Sequence, residues 1–202
     1  MGEHRHPEIT MHTYPLSQYM VHIRAGDWEK VRQLMLSSAH KVAQAGADFA
    51  ICPDNTIHQA FDLVVPKSPI PWLHIAELVA KQARQNGFRH LGILGTKYLM
   101  AGPVYPDALG KLGLSCAIPE KQARERIDNI IFKELVNGVF TEKSRLYFND
   151  VIGDFKQAGC DAVVLGCTEI PLIVDVNDCP LPSLDSTRLL ARAALRKALE
   201  TV

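Results

Sequence analysis

The chain lacks the features that would send it to a membrane or a polyanion. No apolar run approaches the roughly 20 residues needed to cross a bilayer, and the opening MGEHRHPEITMHTY has no apolar core of a signal peptide. Neither charge is in excess: 22 Lys and Arg balance 22 Asp and Glu, which excludes a general attraction to nucleic acid or anionic lipid. The five cysteines are odd in number and show no CxxC spacing, so neither a disulfide framework nor a zinc site is indicated. Reduced thiols in a cytoplasmic protein are the expectation. His4, His6 and His12 come without supporting ligands, and no metal site is expected from them. What remains is a chain of 202 residues, 47% hydrophobic, long enough for one large core or two small ones.

Strand and helix signals alternate along that length. Ile9–Tyr14 reads as a short strand and Tyr14–Ser17 as a turn. Asp27 is placed to cap a helix whose stripe is Val31, Leu34, Met35, Ala39 and Val42, closed by Gly46. Asp48–Cys52 reads as a buried strand, followed by a short helix and the prolines 66, 69 and 71. Ile75, Leu78, Val79 and Ala83 mark the next helix, ending at Gly87. Leu91–Gly95, Leu114–Ile118, Ala162–Leu165 and Leu181–Leu184 are strand candidates. Between them fall a helix over Pro103–Leu112, one around Ile127–Leu135 and one around Phe148–Phe155; Asp185–Thr187 opens a last one. This pattern predicts an α/β fold with a parallel sheet.

The two halves resemble each other. Ala45–Thr56 (AGADFAICPDNT) lies on Ala158–Glu169 (AGCDAVVLGCTE), which sets Asp54 opposite Cys167. Ser68–Pro71 lies in turn on Cys179–Pro182, setting His74 against Asp185. Two similar parallel-sheet α/β domains related by a pseudo-twofold axis are expected, over 1–86 plus 187–202 and over 87–186, with the site in a cleft between them. The counterpart of the Leu91–Thr96 strand would fall ahead of Ile9, where only eight residues stand. The first domain is therefore expected to lack its first strand, as in a truncated chain.

Cys167 follows a β-branched run that ends at Gly166, so a thiol is delivered at the carboxyl end of a parallel strand, where ligands of open α/β sheets bind. At this point the residues resemble the cofactor-independent aspartate/glutamate racemases and the related hydantoin racemases, arylmalonate decarboxylases and maleate isomerases. Gly166–Pro171 reproduces the motif GCTEIP, and Asp54–His58 (DNTIH) corresponds to the family's CNTxH. Leu73-His74 and Asp185–Thr187 also fit, so the resemblance runs from about Ile9 to the C-terminus.

The resemblance implies an isomerase that needs neither pyridoxal phosphate nor metal. It implies a small amino or carboxylic acid substrate and a homodimer. Two groups on opposite faces of the substrate α-carbon would remove and return its proton. Cys167 is the family's second thiol, and Asp54 stands where the first is expected. Asn55, Thr56, Thr96 and Thr168 would bind the substrate carboxylate, with His58, Glu169 and Cys52 as supporting groups. A helix N-terminus after the strand is expected to draw the thiol pKa toward neutrality. The arginine of the aspartate racemases has Gln18 near its place, and the lysine near Gly138 is replaced by Val139 and Phe140. A side-chain carboxylate on the substrate is therefore not implied. Blander roles stand beside these: Asp54 as a helix cap, Glu169 as a dipole partner, His58 and His74 as structural hydrogen-bonding groups, and Cys167 as a buried thiol. Three activities remain open: a racemase, a single-cysteine decarboxylase of the arylmalonate type, and a non-catalytic or truncated relative.

Overall fold

The computed structural model describes residues 6–200, and His4, from which no metal site is expected, falls outside them. The chain divides into two compact units, one holding the residues up to Cys52 with Ile57–His74 and the chain from Leu190 on, the other holding Pro53–Thr56 and Ile75–Leu189.

The first unit is built on helices α1 (Leu16–Ala25) and α2 (Trp28–Gln44). Asp27 caps α2 by accepting from the Lys30 N–H at 3.1 Å, and Gly46 takes the left-handed conformation after it (φ 92°), as its sequence predicts. Val31, Met35 and Ala39 are buried along one face. Residues 56–67 form two 3₁₀ turns around the single-turn α3 (Phe61–Val64).

Two expected strands are not formed here. Residues 6–15 take no regular structure, and Ile9 and Met11 are 82% and 84% exposed. A strand needs a ladder partner, and this segment is held by side chains instead. The Tyr14 hydroxyl shares a 2.8 Å hydrogen bond with Ser37 and accepts one of 2.9 Å from Lys41, while His12 reaches Ser38 at 3.0 Å. Asp48–Cys52 is likewise reduced to one parallel bridge, Ala50 to Trp72. Pro71, next to the bridged Trp72, has no N–H to carry the ladder back toward Asp48.

The second unit carries a parallel sheet of β1 (His90–Leu94), β2 (Ser115–Ala117), β3 (Ala162–Leu165) and β4 (Ser183–Asp185), in the order β2-β1-β3-β4. Both faces are buried, which is why the strands read as continuous apolar runs. Leu94, Val163 and Leu165 face the helices α7 (Lys121–Lys133) and α8 (Glu142–Gln157). The alternate residues Leu91, Ile93, Ala162 and Val164 pack with α4 (Ile75–Gln85) and α6 (Val104–Gly110). Period-two alternation sorts one strand into two cores. Gly92 has a packing reason: a β-carbon there would lie 2.3 Å from the Phe155 ring.

The Asp of the AG-x-D stretch fixes the register of the sheet. The Asp161 carboxylate accepts from the backbone N–H groups of Arg89 (2.7 Å) and His90 (3.2 Å), tying the start of β3 to the start of β1. The remaining helices are α5 (Lys97–Met100), capped by Thr96, and α9 (Ser186–Glu200), capped by Asp185. Among the described residues no helix is long and apolar enough to cross a membrane.

Candidate active site at the strand ends

The order β2-β1-β3-β4 reverses direction between β1 and β3: the chain leaves β1 for β2 on one side and returns to β3 on the other. That is a topological switch point, where the carboxyl ends of adjacent parallel strands diverge and leave a crevice. Gly95-Thr96 ends β1 there, and Gly166-Cys167 ends β3. The glycines let the two ends approach. A β-carbon on Gly166 would sit 2.7 Å from the Leu94 carbonyl oxygen and 2.6 Å from Leu99 Cδ2. The Gly166 N–H donates to that same carbonyl at 2.8 Å, so the backbone has no room to yield. Gly166→Ala is expected to cost about 1–3 kcal/mol of stability through this overpacking, read as a lower urea midpoint at unchanged slope.

Four residues, Pro53–Thr56, belong to this unit although the chain on either side groups with the other. Side chains fasten them to the strand ends. Asn55 is 3% exposed; its Oδ1 accepts from the Tyr105 hydroxyl at 2.7 Å and its Nδ2 donates to Ser186 Oγ at 3.0 Å. Ser186 in turn donates to the Leu165 carbonyl at 2.9 Å. Thr56 Oγ1 shares a 3.1 Å hydrogen bond with Thr96 Oγ1, which also caps α5 by accepting from the Leu99 N–H. Asp54 rides on this anchored segment, half-buried. The Lys97 N–H donates to the buried carboxylate of Asp128 at 3.0 Å, which steadies the turn after Thr96.

Cys167 is partly buried, and its thiol donates to Glu169 Oε2 at 2.9 Å. Thr168 is exposed and donates to the same oxygen at 2.7 Å. The Cys167 pKa is pushed well above that of an ordinary thiol. Burial is the first cause; the Glu169 charge and the hydrogen bond from thiol to carboxylate follow, and the Asp54 charge adds to them. A backbone N–H of Glu169 works the other way, by more than the Asp54 charge adds. The expected shift toward neutrality is therefore corrected. No α-helix begins at Cys167; the chain makes a 3₁₀ turn, Ile170–Leu172, and a carboxylate two residues on faces the sulfur. Burial and the Glu169 carboxylate thus favour the neutral thiol form of Cys167.

Of the residues singled out in the sequence, this unit holds Asp54, Asn55, Thr56, Thr96, Cys167, Thr168 and Glu169. Cys52 and His58 belong to the other unit. There His58 is 3% exposed, stacked on Phe61 with ring centres 5.3 Å apart and set edge-on to His74 at 4.8 Å. Tyr105 was not legible as a site residue, because a tyrosine on an apolar helix face reads as core. Among the described residues no group of three or more His, Cys, Asp or Glu side chains is arranged to hold a metal ion.

The parallel α/β sheet, with a thiol and a GCTEIP turn at its switch point, defines a class of open α/β folds that carry their site at the strand ends, and similarity to known proteins narrows it. The family model for Asp/Glu/Hydantoin racemase matches residues 2–194, and the chain belongs to that family. Its structure superposes on a Yersinia pestis protein assigned to the Asp/Glu racemases with a TM-score of 0.89 and 32% identity, covering 98% of this chain and 87% of that one. An aspartate racemase homologue from Pyrococcus horikoshii OT3 gives 0.85 and 26% over the same shares, 98% and 87%. The broad-specificity amino-acid racemase of Bacillus subtilis is 20% identical over 190 residues, 94% of this chain and 81% of that protein. Membership of the family supports a racemase-like function.

Proposed function

We propose that the protein is a cofactor-independent amino-acid isomerase in which Asp54 and Cys167 exchange the α-proton of a small amino acid. The observation that carries the reading is the Cys167 thiol, hydrogen-bonded to Glu169 at the switch point, in the same unit as the anchored Asp54 segment. Asp54 removes the α-proton, so that the C–H bond breaks and the carboxylate becomes a carboxylic acid. The electron pair passes into the substrate carboxylate as an enediolate, stabilised by the hydroxyls of Thr56 and Thr96 and by backbone N–H groups of the strand-end turns. Cys167 gives its thiol proton to the opposite face, leaving a thiolate that accepts from the Glu169 N–H. Proton exchange with water restores the resting pair.

The test is incubation of single enantiomers from a broad amino-acid panel in D₂O. Inversion accompanied by α-deuterium is expected for at least one member; no exchange across the panel would refute the reading. A second reading rests on the same neutral thiol: a lone thiol donor opposite a non-thiol group would also suit protonation of an enediolate left by loss of CO₂. Release of CO₂ from disubstituted malonates, without amino-acid exchange, would select it.

A further inference from the structure

The roles in the buried chain of hydrogen bonds at the strand ends are fixed from one end to the other. The Tyr105 hydroxyl donates to Asn55 Oδ1 (2.7 Å), Asn55 Nδ2 donates to Ser186 Oγ (3.0 Å), and Ser186 donates to the carbonyl of Leu165 (2.9 Å). Tyr105 and Ser186 are 0% exposed and Asn55 is 3% exposed, so water does not substitute for any link. The run begins at Tyr105, passes through Asn55, the residue next to Asp54, and ends on the last residue of β3, two before Cys167. Tyr105 comes from α6, packed on one face of the sheet, and Ser186 from the first position of α9.

We infer that Tyr105, Asn55 and Ser186 form a positioning clamp that holds the Asp54 segment at a fixed spacing from the Cys167 strand end. The inference rests on the proposed acid–base pair and adds three residues that act through it. Asn55, which the family resemblance offers as a carboxylate ligand, has its amide turned inward to Tyr105 and Ser186, and in this assignment it sets geometry. A buried phenol suits the task. Desolvation raises the Tyr105 pKa far above its usual value, so it stays a donor over the working range of pH. A hydroxyl, an amide and a hydroxyl in line leave no freedom to reverse direction, because the backbone carbonyl at the end only accepts. Two groups that must meet one carbon from opposite faces depend on spacing: a misplacement of about 1 Å costs roughly 100-fold.

The test pairs racemisation with a substrate-free measurement, on Tyr105→Phe and, at the other end of the run, Ser186→Ala. Both are compared with the parent well below their melting temperatures, with circular dichroism to establish folding. The expected result is a fall of about 10- to 100-fold in kcat with KM changed less than about threefold. The double variant Tyr105→Phe/Asn55→Ala should fall short of the product of the two single effects, since both residues act on one segment. The rate of Cys167 alkylation by iodoacetamide at pH 8 should depart from the parent's in Tyr105→Phe and in Ser186→Ala, as the strand end and the Asp54 segment lose their fixed spacing. Folded variants with parental kcat and parental alkylation would overturn the clamp, and so would a loss confined to KM. A parent that shows no exchange with any amino acid, but whose thiol responds to both substitutions, would sink the racemase reading and leave the clamp standing.

Discussion

Cys167→Ala is expected to lower racemisation about 10²–10⁴-fold, the range that a positioned proton donor supplies. The fold should survive, because Cys167 is only partly buried and lies at the border of the core around Phe148 and Ile170. Exchange should not vanish with racemisation. With Asp54 intact, one enantiomer can still lose its α-proton to the carboxylate and regain a deuteron on the same face, so it exchanges without inverting. Chiral chromatography and proton NMR in D₂O separate the two outcomes. Cys167→Ser is the sharper control, since a hydroxyl keeps the hydrogen bond to Glu169 but is a much weaker acid than a thiol. Racemisation should stay lost, and a serine variant with parental rates would remove proton donation from the role of this residue. The pH profile carries a sign. Donation needs the protonated thiol, so activity holds through neutrality and falls on the alkaline side, above the ordinary thiol value of about 8.5, because burial and Glu169 raise this group. Glu169→Gln removes that charge and should move the alkaline limb toward lower pH.

The sequence carried the sheet and missed the settings of its site, for physical reasons that differ from residue to residue. β1 and β3 were legible because both faces are buried, so Leu91–Leu94 and Ala162–Leu165 carry no polar side chain and each run ends at a glycine. The turns after Gln44, Gln85 and Gln157 were legible because Gly46, Gly87 and Gly159 each adopt positive φ. Ile9–Tyr14 has the residues of a strand, yet pairing depends on a neighbouring backbone, which local composition does not encode. Helix α1 stands where the local sequence around Pro15 reads as a turn, although Leu16, Met20 and Ile23 hold helical spacing and Gly26 closes it with φ 67°. The thiol at 167 was legible as a group placed for chemistry. Its protonation state was not, since that depends on a rotamer: Glu169 turns back onto the sulfur where a helix dipole was anticipated. Asn55 shows the same limit. Its position beside Asp54 could be read from the motif, but its partners stand 50 and 131 residues away in the chain, and only the fold brings them there.

Asp54→Asn should have the more complete effect of the two site substitutions, and the reason lies in the resting protonation of its partner. Asparagine keeps the shape of the side chain and its place on the anchored segment while losing both the charge and the basicity. Where Cys167→Ala leaves a working base on one face, Asp54→Asn leaves a thiol that is protonated at neutral pH and cannot start the reaction from the other. Racemisation and α-deuterium exchange are therefore both expected to fall about 10²–10⁴-fold at pH 7, for both enantiomers. Raising the pH should recover part of the exchange. Loss of the Asp54 charge removes one contribution that holds the Cys167 pKa up, so the thiolate forms at lower pH than in the parent. The enantiomer whose α-proton faces Cys167 then exchanges with retention. A symmetrical two-thiol site would give mirror-image residual activities for its two single variants. Here one variant should exchange at neutrality and the other only in alkali. Equal residual exchange in the two variants at pH 7 would show that Cys167 serves as a base as readily as Asp54, and would remove the asymmetry assigned to the pair.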